Sequence, residues 1–99
     1  MAKGRILNKN SSKVPYGSVF IGRPSKYGNP FVIGKDGDRD TVISLYRNYL
    51  LDCLDNGTFT TDEIIALYEC DLVCYCKPLP CHGDVIHEIA KILKEITGE

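Results

Sequence analysis

Apolar residues recur at spacings of three and four between Val42 and Leu54: Val42, Ile43, Tyr46, Tyr49, Leu50, Cys53 and Leu54. One face of an amphipathic α-helix carries such a stripe. Asp38 or Asp40 stands where a side-chain oxygen caps the first turn, and Asn56-Gly57 ends the pattern. Thr60-Thr61-Asp62-Glu63 has capping-box spacing and predicts a second, short helix to about Leu67. Val85, Ile86, Ile89, Ala90, Leu93 and Ile96 predict the apolar face of a last helix, entered through Cys81-His82-Gly83-Asp84.

The remaining apolar runs are short and rich in strand formers. Arg5–Asn8 predicts a first strand, Ser18–Ile21 a second closed by Gly22, and Leu72–Cys76 a buried strand. A further apolar piece, Phe31–Ile33, stops at Gly34, before a turn over Lys35–Asp38. Lys77-Pro78-Leu79-Pro80 cannot continue a central strand, because its prolines lack amide donors. This order predicts an α/β chain. The expected architecture is a small Rossmann-like single domain over 1–99, with a mixed or largely parallel sheet flanked by helices. Residues 1–13 are expected to form a flexible basic N-terminal segment.

Composition narrows the picture. Ninety-nine residues, 43% hydrophobic, suit one domain with a modest core, which a homo-oligomer would enlarge. No signal-peptide pattern or apolar run of about 20 residues occurs, so neither secretion nor a membrane span is expected. Position 2 is Ala, which rules out the myristoylation glycine. The odd set of Cys53, Cys70, Cys74, Cys76 and Cys81 reads as thiols in a reducing cytoplasm. The net charge of −1 hides an asymmetry: residues 1–35 hold seven basic side chains and no acid, and residues 36–99 balance at −8. A basic half can focus field on a small anion, or simply pair with acids elsewhere. The acidic remainder disfavours an extended nucleic acid.

Two loops leave predicted strands, and ligands of open α/β sheets gather at carboxyl strand ends. The first, Gly22–Phe31, offers Arg23 and Lys26 for phosphate, Ser25 and Asn29 for polar edges, Tyr27 for base stacking and Gly28 for close approach. Its alternative role is a rigid surface turn shaped by Pro24 and Pro30. The second, Cys74–Asp84, carries Cys-x-Cys-x4-Cys-His. In a strand Cys74 and Cys76 share a face and fit equally as small core residues. Cys81, His82 and Gly83 lie at a helix entrance, where amides attract anions and thiol pKa falls. Cys81 could serve as nucleophile, or His82 with Asp84 as an acid–base pair. Cys74, Cys76, Cys81 and His82 could instead hold zinc, although a zinc knuckle has Cys-x2-Cys spacing. Arg39 opens the long helix and reaches either a ligand or Asp36 or Asp40. Arg47 reads as a surface ion pair, Cys53 as core, Cys70 as the edge of an element and His87 as solvated.

The run Ile21–Phe31, then Arg39, Tyr46–Leu50 and Leu72–Ile86, resembles the family called domain of unknown function 4326. That resemblance spans about residues 18–93. It implies a small protein of the kind common in bacteriophage and bacterial genomes, with no assigned function. The family motif usually has Trp where this chain has Tyr27 and Tyr75, so an aromatic ring is kept. Another uncharacterised α/β family has Glu in the place of Cys76, which weighs against an obligatory metal. The leading expectation is a cytoplasmic binder of a nucleotide or nucleotide-derived anion, needing no cofactor. A phage protein of this kind could sequester a nucleotide signal of bacterial immunity, an anti-defence role. The alternatives are a small hydrolase or transferase on nucleotide-type substrates using Cys81, His82 and Asp84, and a zinc-stabilised interaction protein.

Overall fold

In the computed structural model a three-stranded parallel sheet runs in the order β1-β3-β2. β1 is Ile6–Asn8, β2 is Val19–Phe20 and β3 is Leu72–Cys74. The structure describes residues 3–8, 17–22, 25–74 and 81–98. β3 is central: Leu72 faces Ile6 on one side and Val19 on the other, and Cys74 faces Asn8. All three β3 residues are buried, as a central parallel strand with both faces covered requires. The chain is therefore mixed α/β, with helices among the described residues between β2 and β3 and after β3.

Helix α1, Arg39–Asp55, starts where Asp38 accepts the Thr41 amide and ends at Asn56. It buries Val42, Tyr46, Leu50 and Cys53, the stripe expected of it. Helix α2, Thr61–Leu67, is closed by the predicted capping box of Thr60 and Glu63. Helix α3, His82–Thr97, ends at Gly98, whose φ of 78° is the left-handed conformation glycine adopts without strain. Ile21, Tyr46, Leu50, Phe59, Ile64, Leu72, Ile86 and Ala90 form one core, each full burial being worth about 1.5–3 kcal/mol for the large apolar side chains. No helix of the described residues is long and apolar enough to cross a membrane.

Two expectations are corrected, for Ile96 and for His87, and one segment is specified. The apolar piece Phe31–Ile33 lies in a local turn, where Asp36 Oδ2 accepts the Val32 amide at 2.8 Å and Ile33 makes a bridge to Gly37. Ile96 lies at the far end of α3 and is 75% exposed. His87, expected in solvent, is 2% exposed. α3 packs against α1, α2 and β3 together, so its buried surface is wider than a single stripe.

Candidate functional site

Because β2 and β3 are parallel, the segments that follow them leave the same edge of the sheet. A contact joins them: His82 Nε2 lies 2.7 Å from the main-chain oxygen of Ile21. A carbonyl only accepts, so Nε2 carries a proton, and in the neutral form of the ring Nδ1 is an acceptor. Nδ1 lies 3.7 Å from Cys81 Sγ. The Tyr46 ring stands edge-on to the imidazole, with centroids 4.8 Å apart. The Tyr46 hydroxyl donates to the Tyr27 carbonyl at 2.9 Å, so one tyrosine braces both the imidazole and the first loop.

Cys81 is the N-cap of α3, and its sulfur accepts the Gly83 amide at 3.3 Å. Its own amide donates to Asp84 Oδ2 at 3.2 Å, so Asp84 closes a capping box. The Cys81 sulfur also meets Cys74 Sγ at 3.0 Å. Cys74, Cys81 and Gly83 are buried and His82 nearly so, whereas Asp84 is exposed. Gly83 is glycine for packing reasons: a Cβ there would lie 2.8 Å from Ile21 Cδ1 and 2.9 Å from Ile6 Cδ1.

Among the described residues no three His, Cys, Asp or Glu side chains are grouped so as to hold a metal ion. Cys76 and Arg23, both named from the sequence, lie outside the described residues.

The first loop is tied down by Glu63. Its carboxylate accepts from Lys26 Nζ and from the Tyr27 hydroxyl, each at 2.6 Å, and from the Thr60 amide at 2.8 Å. These donors, the Lys26 ammonium first, pull the Glu63 carboxyl down to about 2. Burial, then the Glu63 carboxylate, pushes the Tyr27 hydroxyl up. The Tyr27 ring packs on Phe59 with centroids 5.3 Å apart. Asn29 also serves the loop, donating to Val42 O at 3.1 Å and accepting the Phe31 amide at 2.9 Å. Ser25 differs from these: its hydroxyl oxygen is buried without a hydrogen-bond partner among the described residues. Gly28 donates to the Ser25 carbonyl at 3.0 Å and Ser25 to the Gly22 carbonyl at 2.8 Å.

The structure thus brings Cys81, His82 and Gly83 to the root of the first loop and spends Lys26, Tyr27 and Asn29 on holding that loop. Arg39 opens α1, and Arg47 bridges to Glu88 on α3 as a surface pair. Charges that are segregated along the sequence meet in space: Arg5 pairs with Asp71 at 2.9 Å and Lys26 with Glu63 at 2.6 Å. Sequence reasoning missed Glu63 as an anchor, the Ile21 carbonyl and Tyr46. Glu63 was visible only as a capping residue, and Tyr46 only as one more position on an apolar stripe.

Comparison with known proteins agrees in extent with this arrangement, which runs from β1 to α3. Residues 5–92 match the family described as domain of unknown function DUF4326. The chain is 34% identical over 93 residues to an uncharacterized 12.4 kDa protein of the nrdA-td intergenic region of Enterobacteria phage T4, covering 92% of this chain and 82% of that protein. No solved structure matches. The chain belongs to the DUF4326 family.

Proposed function

We propose that this protein binds a small anionic ligand of nucleotide type at the rim where the root of the first loop meets the entrance of α3. The observation that carries the reading is the His82–Ile21 contact, which unites the two segments leaving the carboxyl edge of a parallel sheet. Ligands of such sheets bind at that edge, and the start of a 16-residue helix there favours negative charge. The buried Ser25 oxygen, without a partner among the described residues, is a polar group that a ligand or a water would satisfy. Arg23, in the acid-free first third of the chain, is the cation for the phosphate. Lys26 joins it by leaving Glu63, and Tyr27 would stack only after the same release. With a relative encoded by a phage, the natural form of this activity is sequestration of a host nucleotide signal. The test is incubation with mixed mononucleotides, dinucleotides and cyclic nucleotides, removal of excess, denaturation and mass spectrometry of what is released. Intact nucleotide in stoichiometric amount is expected. Release of none sinks the reading.

A second reading is favoured by one detail. The acceptor nitrogen of His82 faces the Cys81 sulfur while a carbonyl fixes the ring, the arrangement of a thiol nucleophile with its base and orienter. Asp84 is engaged as a capping residue, so the acid–base work would fall to His82. Altered rather than intact nucleotide in the same assay would favour this enzyme.

A further inference from the structure

We propose that Cys74 and Cys81 are a redox-active dithiol that closes to a disulfide when the protein meets a peroxide. Their sulfurs are already in contact at 3.0 Å, against about 2.05 Å in a disulfide. The contact is held by regular structure on both sides. Cys74 ends β3, opposite Asn8 in the ladder, and Cys81 caps α3. The inference rests on this contact and stands whether or not a nucleotide binds.

The two sulfurs are not equivalent. Cys81 accepts the Gly83 amide, sits at the positive end of a long helix and has the His82 acceptor nitrogen 3.7 Å away. The Gly83 amide, the helix start and the imidazole at Cys81 are contacts that would steady negative charge on its sulfur against the burial that both thiols share. Cys81 is therefore the attacking sulfur and Cys74 the resolving one. His82 Nδ1 takes the thiol proton, and the Cys81 thiolate attacks one peroxide oxygen. The S–O bond forms as the O–O bond breaks, and the departing hydroxide takes the proton back from His82 to leave as water. Cys74 then gives up its proton and attacks the Cys81 sulfenic acid. The S–S bond forms as the S–O bond breaks, and a second water leaves. Two thiols and one hydrogen peroxide become one disulfide and two waters, with two electrons passing from sulfur to oxygen.

The remaining described cysteines serve as internal controls. Cys53 is buried on the core face of α1. Cys70 is partly exposed, donates to the Ala66 carbonyl at 3.3 Å and has its thiol pushed up by burial and by Glu69 and Asp71. Both cysteines of the pair are about 1% exposed, so bulky reagents should be excluded where peroxide, barely larger than water, enters. In the native protein a bulky alkylator is expected to label Cys70 before either.

The experiment treats the full reduced chain, freed of metal by chelator, with hydrogen peroxide. It is then denatured, alkylated, cut after Tyr75 and mapped by mass spectrometry. A Cys76→Ser chain is run beside it to separate that cysteine from Cys81. The expected result is loss of two alkylatable thiols and a peptide pair joined through Cys74 and Cys81, reversed by dithiothreitol. Cys74→Ser should stop at a sulfenic acid on Cys81, trapped by dimedone. Should that variant fail to fold, the Cys76→Ser map alone decides. Thiols that all remain alkylatable, a disulfide through Cys53, Cys70 or Cys76, or over-oxidised Cys81 beside an intact Cys74 thiol would each overturn the proposal.

Discussion

His82 donates from Nε2 to the carbonyl of Ile21 at 2.7 Å, and this bond pins the start of α3 to the end of β2. The two residues are 61 positions apart, yet they set the geometry of the whole rim. His82→Phe keeps a ring against Tyr46 and removes the donor. Losing a buried donor to a carbonyl costs about 1–3 kcal/mol. Urea unfolding should show that loss with an unchanged m-value. A loss under about 0.5 kcal/mol would mean that the bond holds nothing together.

Glu63 provides an acid signature. Its folded pKa of about 2 lies below its ordinary value of 4.5, so the folded state favours the carboxylate. That contribution is complete above about pH 4.5 and is lost as pH falls toward 2. The carboxylate is partly exposed and the Lys26 ammonium more so, so the ion pair itself is worth under about 1 kcal/mol. Glu63→Gln should flatten the stability profile between about pH 2 and 4.5, where the parent protein falls steeply. Equal slopes in the two proteins would show that the acid sensitivity lies elsewhere.

His87 acts in a different window. Burial first, and Lys3 after it, hold its imidazole below the ordinary 6.5, against the Cys70 and Leu67 carbonyls and Asp84, which push it up. Its Nδ1 is buried without a partner among the described residues, Nε2 lies 3.2 Å from the Cys70 carbonyl, and the Tyr68 ring stands edge-on. The unfolded chain therefore binds the proton more readily, and stability is complete above about pH 6.5 and declines as pH falls below it. Chemical denaturation at steps between about pH 8 and pH 5 should show this decline in the parent protein and not in His87→Met. A slope that persists in the variant would remove His87 as its source.

Glycine substitutions separate a rigid contact from a yielding one. A Cβ at Gly4 would sit 1.8 Å from the Cys70 carbonyl oxygen, which is backbone and cannot move aside. At Gly83 it would meet the flexible ends of Ile21 and Ile6. Overpacking costs about 1–3 kcal/mol, while alanine returns up to about 1 kcal/mol of helix propensity at Gly83 alone. Gly4→Ala should thus lower the melting temperature clearly more than Gly83→Ala. The reverse order would contradict the packing described here.

The helices were legible because their signals are local. The Val42–Cys53 stripe, the Thr60–Glu63 capping box and the Asn56-Gly57 stop each lie within a few residues. The turn at Phe31–Ile33 depends on Asp36 holding the Val32 amide, a contact that apolar content does not register. His87 was misplaced because a periodicity reports one buried face, and α3 has neighbours on more than one. At the site the sequence pointed to Cys81 and His82, since their types and position at a helix entrance are unusual together. It could not show that Lys26 and Tyr27 are held by Glu63, more than 35 residues away, because that depends on how α2 docks. The contact of Cys74 with Cys81 was equally hidden, since Cys74 reads simply as core.

The most direct test of the central claim is the melting temperature of the full chain with mononucleotides, dinucleotides and cyclic nucleotides in turn. A ligand present at about a hundred times its Kd adds about 2.7 kcal/mol, which for a domain of this size raises the midpoint by roughly 10 °C or more. The account predicts such a rise with at least one of them, reduced in Arg23→Ala and in Ser25→Ala chains that melt normally without ligand. No rise with any nucleotide, or a rise that both variants retain in full, would contradict it.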